Sequence, residues 1–63
     1  MIIKNSIKCN YCEDIIESNH VHDYVRCKCG KVAVDGGKEY LRRAYVKYAI
    51  DDYTELSVTN NEI

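Results

Sequence analysis

The sequence predicts one small domain, residues 1–63, of mainly antiparallel β-structure with hairpins and room for one short helix. The chain has only 63 residues, no proline, phenylalanine or tryptophan, and six tyrosines. A chain of this length buries about 60% of the surface that its unfolded form exposes, so its own core is marginal. We therefore expect a staple beyond hydrophobic packing, and the four cysteines are the residues that can supply it.

The cysteines form two close pairs, Cys-Asn-Tyr-Cys and Cys-Lys-Cys-Gly, with 14 residues between them: Cys9, Cys12, Cys27 and Cys29. This spacing is typical of zinc-ribbon-like knuckles that hold one structural Zn²⁺ in a closed tetrahedron. Structural zinc adds roughly 10–16 kcal/mol of apparent binding free energy. Gly30 follows the last cysteine, where we expect the backbone to turn with a positive φ.

Two alternatives to this ligand set stay open in the sequence. His20 or His22 can replace Cys27 or Cys29 as the fourth ligand, because Cys-X-Cys is tighter than the usual Cys-X-X-Cys. Two disulfides are the other alternative. We disfavour them because the chain shows no export signal and a reducing compartment favours metal.

Local patterns predict the strands of the first half. Residues 1–8 are expected to form a strand that leads into the first knuckle, and residues 14–26 a hairpin whose arms are 15–17 and 21–26. Residues 31–34 form a further strand. Asp35-Gly36-Gly37 then marks a turn.

Residues 38–50 satisfy both a helical and a strand pattern, since tyrosine recurs at helical spacing in a segment rich in β-forming residues. We favour a strand over 39–46 that pairs with 31–34. A helical turn near Asp51 and Asp52 and a last strand over 53–58 follow, and residues 58–63 are expected to fray.

Charge is distributed unevenly along the chain. Residues 26–47 carry seven basic and two acidic side chains, whereas residues 48–63 carry four acidic ones and no basic one. This asymmetry indicates either an oriented surface for a charged partner or two patches that partly neutralise each other in the fold. No apolar run reaches the roughly 18 residues of a membrane span. With no such run and no export signal, we expect a cytoplasmic protein. No set of side chains suggests catalysis, so we expect that it is not an enzyme.

The motifs as a set resemble a known family. The runs are Ile7-Lys-Cys-Asn-Tyr-Cys, Asp14-Ile-Ile-Glu-Ser-Asn-His-Val-His-Asp, Cys27-Lys-Cys-Gly, Ala33-Val-Asp-Gly-Gly and Tyr40-Leu-Arg-Arg. Together they look like a small zinc-binding family of phages and prophages of Firmicutes. The resemblance implies the zinc fold and the cytoplasm of an infected or lysogenic bacterium. It also points to an anti-CRISPR protein, since a few small zinc-containing phage proteins of this appearance bind type II RNA-guided nucleases.

The expected function is therefore inhibition of a type II CRISPR nuclease by protein–protein contact. Interface hot spots are rich in tyrosine and arginine, and the expected partner surface is Arg42, Arg43, Tyr45, Tyr48, Asp51, Asp52, Tyr53 and Glu55. One alternative is a structural or accessory phage protein with no inhibitory role. The other is a nucleic-acid-binding zinc ribbon that uses the basic residues of 26–47. The net charge of −1 and the pI near 6.0 argue against it.

Overall fold

The computed structural model describes residues 1–60, which form two small antiparallel sheets and one helical turn. The elements in chain order are β1 (Ile2–Cys9), β2 (Ile15–Ser18), β3 (Val25–Arg26), β4 (Ala33–Asp35), β5 (Arg42–Ala44), α1 (Ala49–Asp52), β6 (Tyr53–Glu55) and β7 (Val58–Thr59). The first sheet is organised around β1, which pairs with β2 on one side and with β6 and β7 on the other. The second sheet has the order β3-β4-β5. This architecture confirms the predicted fold class.

The core lies between the two sheets. Alternate residues of β1 point into it, so Ile7 and Cys9 are fully buried. Val34 of β4 and Val32, which directly precedes β4, approach from the other side. Two of the cysteines, Cys9 and Cys27, belong to this same buried cluster. Because the core is small and includes two of the cysteines, the positions of the thiols affect the stability of the whole fold.

The second half follows the predicted order of elements with shorter strands. The strand expected over 39–46 is β5, and it pairs with β4 so that Ala33 faces Ala44 and Asp35 faces Arg42. The helical alternative for 38–50 is not realised, whereas the helical turn predicted near Asp51 and Asp52 is α1. The last strand is divided into β6 and β7, because residues 56–57 leave the strand conformation.

The predicted hairpin over 14–26 is wrong. Strand β2 pairs with β1, and β3 pairs with β4. A local turn shortens the second arm: the Ser18 hydroxyl donates to the carbonyl oxygen of Asp23 at 2.7 Å, and the Asp23 carboxylate accepts the Asn19 amide at 2.9 Å. These bonds favour a compact turn over a paired arm, so only Val25 and Arg26 remain extended.

The C-terminal segment is tied to the N-terminus as far as residue 60. Val58 and Thr59 pair with β1, and the Asn60 amide donates to the carbonyl oxygen of Met1 at 2.8 Å. The expected fraying therefore does not begin at residue 58, and residues 61–63 lie outside the described residues. Within 1–60, no helix has the length and apolar character needed to cross a bilayer.

Candidate metal centre and the loop beside it

The first knuckle forms where β1 ends. The Glu13 amide donates to the Cys9 carbonyl oxygen at 2.8 Å and closes the turn, and the amides of Tyr11 and Cys12 point at the Cys9 sulfur at 3.3 and 3.4 Å. Amide donors of this kind stabilise a thiolate. Glu13 has a φ of 63°, the left-handed conformation that side chains other than glycine adopt at a cost.

The second knuckle is held by its own backbone and by the first. The Gly30 amide donates to the Cys27 carbonyl oxygen at 3.0 Å, and Gly30 has the positive φ, 76°, that the sequence predicted. The Lys28 amide donates to the carboxylate of Asp14 at 3.1 Å. This last bond ties the second knuckle to the residue that follows the first.

The two knuckles bring the four thiols into one cluster. The sulfur atoms of Cys9, Cys12, Cys27 and Cys29 all lie within 4.8 Å of one another, and all four thiols are free. Cys29 lies 3.6 Å from Cys9 and 3.4 Å from Cys27, sulfur to sulfur. A tetrahedral site with metal–sulfur bonds of about 2.3 Å has sulfur–sulfur edges of about 3.8 Å. The cluster therefore has the dimensions to hold a metal ion.

The histidines do not take part in this cluster. His20 and His22 are exposed in the loop between β2 and β3, and the metal-binding group found in residues 1–60 consists of the four cysteines alone. The structure thus favours the all-cysteine ligand set over the alternative with a histidine.

The thiols influence one another's ionisation. Burial alone would raise the pKa of Cys27, but the Val32 amide and the neighbouring thiols outweigh it and lower that pKa to about 6. The Lys31 amide favours the thiolate of Cys29, yet burial and the surrounding thiols raise the pKa of Cys29 to about 12. The Cys29 amide also lowers the pKa of Cys12. The thiolates of Cys12 and Cys27 therefore form more easily than a free thiol, and they oppose the ionisation of Cys29. A bound cation removes this repulsion.

A buried carboxylate lies beside the first knuckle. The side chain of Asp52 accepts the Tyr11 hydroxyl at 2.6 Å on one oxygen and the amides of Val46 and Lys47 at 2.9 and 2.6 Å on the other. The Tyr11 hydroxyl, with the Lys47 amide, lowers the pKa of Asp52, and the same hydrogen bond raises the pKa of Tyr11. Asp52 thus organises the loop that follows β5.

The structure divides the expected partner surface in two. Arg42, Tyr45, Tyr48 and Asp51 are exposed, and Tyr53 is half-buried against Tyr45, with ring centroids 6.0 Å apart. Asp52 and the side chain of Arg43, by contrast, are buried and bonded within the chain. These two residues are therefore withdrawn from the partner surface. Glu55 is half-exposed but already forms an ion pair with Arg43.

Asn5 is a structural residue that the sequence analysis missed. Its side-chain amide is fully buried and donates to the carbonyl oxygens of Asp35, Gly37 and Tyr40 at 3.0, 2.8 and 3.2 Å. Its oxygen accepts from the Arg43 guanidinium at 2.7 Å. The sequence feature that could have revealed this role is an asparagine at an inward-facing position of β1, since a buried amide needs several hydrogen-bond partners.

The comparisons with known proteins place the chain in a family. Residues 1–45 match a family model described as Domain of unknown function (DUF7695), and the chain belongs to that family. The matched region includes all four cysteines and ends before α1. No curated protein and no solved structure matches the chain.

Proposed function

We propose that the chain is a zinc-stapled protein-binding module whose exposed loop docks on a larger protein and inhibits it. Its first candidate partner is a type II RNA-guided nuclease in the cytoplasm of an infected or lysogenic bacterium. The observation that carries the docking part is the exposure of apolar side chains in residues 45–50. The nuclease itself is the partner that the sequence resemblance implies.

Zinc is the metal that suits the site. Thiolates are soft ligands, and tetrahedral sites of four thiolates in proteins hold zinc or the iron of an iron–sulfur centre. The spacing and the absence of an open coordination position support a structural ion over a catalytic one. The proposal is therefore one of binding, not of an enzyme.

The docking loop, residues 45–50, supports the proposal by its composition and exposure. Val46 is 62% exposed, Tyr48 57% and Ile50 87%. Ile50 also borders an open groove of about 470 Å³ that is lined by Ala49, Ile50, Tyr53, Thr54 and Glu55. Neighbouring exposed apolar side chains in so small a domain are typical of interaction surfaces, and tyrosine is enriched in interface hot spots.

Nucleic acid is the weaker candidate partner. Four thiolates and one Zn²⁺ add −4 and +2 to the formal charge of −1, which gives −3 for the zinc-loaded chain. Lys31 lies over the Tyr11 ring at 4.3 Å and Arg42 over the Tyr40 ring at 5.1 Å, so a cation already covers part of each aromatic surface. A dedicated nucleic-acid binder is usually strongly basic.

The test is a pull-down of the purified zinc-loaded protein with a guide-loaded type II nuclease, followed by a DNA-cleavage assay. Ile50→Gln should weaken binding by about 30-fold or more if Ile50 is a hot spot. Ile15→Gln is the matched control, because Ile15 is also exposed, at 61%, but lies on β2. Absence of binding to several such nucleases would refute the partner. Equal binding by both variants would refute the loop as the docking surface.

A further inference from the structure

Tyr11 contacts both the metal centre and the support of the docking loop. It lies between the ligands Cys9 and Cys12, and its amide points at the Cys9 sulfur at 3.3 Å. Its hydroxyl donates to the buried carboxylate of Asp52 at 2.6 Å. One side chain therefore connects the first knuckle to Asp52.

Asp52 is the main polar support of the docking loop. Its second carboxylate oxygen accepts the amides of Val46 and Lys47 at 2.9 and 2.6 Å, while the carboxylate itself is almost fully buried. Hydrogen bonds to a charged acceptor are stronger than neutral ones. Because most of the loop's side chains are exposed, little packing remains to hold its backbone in place.

Asn10 forms a second bridge from the same knuckle. Its amide donates to the carbonyl oxygen of Asp52 at 3.0 Å, and its side chain donates to the carbonyl oxygen of Asp51 at 3.1 Å and accepts the Thr54 hydroxyl at 2.9 Å. Both residues between the first two ligands therefore bond to α1 or to the strand that follows it. The knuckle and the loop form one hydrogen-bonded unit.

From this geometry we propose that Tyr11 and Asp52 are positioning residues through which the bound metal sets the conformation of the docking loop. The metal then contributes to recognition as well as to folding. This inference rests on the docking function proposed above. Coupling between two sites is reciprocal, so a partner that binds the ordered loop must also tighten the retention of the metal.

The experiment compares the zinc-loaded and cadmium-substituted full chain by NMR, because Cd²⁺ retains thiolate coordination with longer bonds and perturbs the knuckle without removing the metal. The amide signals of Val46 and Lys47 should shift on substitution. In Tyr11→Phe this shift should become clearly smaller, because the Asn10 bridge alone still links the knuckle to α1. Hydrogen exchange at the two amides should become about tenfold faster, as expected for loss of one charge-assisted hydrogen bond. Metal content and exchange at β4 should remain as in the unmodified protein.

Tyr24→Phe is the matched control, since Tyr24 is 50% exposed and Tyr11 47%, and both variants lose one phenolic hydroxyl. It should leave the exchange of Val46 and Lys47 unchanged. Unchanged exchange in Tyr11→Phe, or equal acceleration throughout the chain, would overturn the proposal. If Tyr11→Phe does not fold, absence of the cadmium shift at the two amides in the unmodified protein would overturn it.

None of these measurements uses a partner. A loop that responds to the metal in a chain that binds no protein would refute the docking function and leave the link between metal and loop standing. A chain that binds its partner but whose loop does not respond to the metal would refute the link alone.

Discussion

Replacing Asn5 with aspartate tests whether one buried amide joins the two sheets. The side-chain nitrogen of Asn5 donates to three carbonyl oxygens at the turn between β4 and β5, at distances of 2.8 to 3.2 Å. Aspartate has the same shape but puts an oxygen where the donor was. The change therefore removes the hydrogen bonds and places a negative oxygen against three acceptors.

The expected loss of stability follows from the number of bonds. An amide nitrogen has two hydrogens, so two of the three contacts can be well made. Each buried acceptor left without its donor costs about 1–3 kcal/mol, so Asn5→Asp should lower the free energy of unfolding by about 2–6 kcal/mol. Because a domain of 63 residues is stable by only about 3–9 kcal/mol, this loss is a substantial part of the total and should clearly lower the urea midpoint.

The assay is urea unfolding of the zinc-loaded protein, followed by circular dichroism. Lys4→Gln is the control, because Lys4 lies on the same strand with an exposed side chain and should change the stability by less than about 0.5 kcal/mol. An Asn5→Asp protein whose free energy of unfolding lies within about 1 kcal/mol of that of the unmodified chain would contradict this role of Asn5, since its hydrogen bonds would then contribute nothing net.

Three further predictions concern single backbone and charge features. Glu13→Gly should raise the free energy of unfolding by up to about 1 kcal/mol, because glycine relieves the left-handed φ; an unchanged urea midpoint would contradict this. Arg43→Ala should destabilise by about 2–4 kcal/mol, because it leaves the buried Asn5 oxygen and the partly buried Ser57 hydroxyl without their donor. Arg42→Ala should cost under about 1 kcal/mol, because the Arg42–Asp35 ion pair is 3.7 Å long and the arginine side chain is 65% exposed. Equal thermal shifts in the two arginine variants would count against this assignment. Gly37→Ala should prevent folding because its Cβ would lie 2.3 Å from a backbone carbon, whereas Gly30→Ala meets its nearest atom at 3.5 Å and should cost only the strain of a positive φ. Comparable melting temperatures for the two alanine variants would contradict this ranking.

The features that the sequence predicted correctly are local ones. The spacing of the cysteines, the glycine after the second knuckle and the Asp-Gly-Gly turn each depend on a few neighbouring residues. The helical turn near Asp51 was also predictable, because a short turn followed by a strand needs no distant information. Short-range sequence patterns of this kind predict the structure correctly because the local preference and the global structure agree.

The features that it missed depend on partners far along the chain. The donors on Asn5 reach acceptors 30 to 35 residues away, and Tyr11 reaches Asp52 across 41 residues. Neighbouring residues of a strand point to opposite faces, so either Arg42 or Arg43 had to point inward, but the pattern did not say which. The pairing of β2 with β1 was missed for a different reason. It is also short-range, since Ile15 faces Lys8 seven residues earlier, but the apparent turn after β2 suggested a partner on its other side.

The most direct test of the central claim is a zinc titration of the reduced, metal-free chain, followed by circular dichroism. We expect the metal-free chain to be largely unfolded, because the metal-binding free energy of roughly 10–16 kcal/mol is comparable to or larger than the free energy of unfolding of so short a domain. Folding should be complete at one equivalent of zinc, and Cys27→Ser should abolish this sharp end point. A metal-free chain that is already folded and does not change on addition of zinc would contradict the claim that the four thiols hold the fold together through a metal.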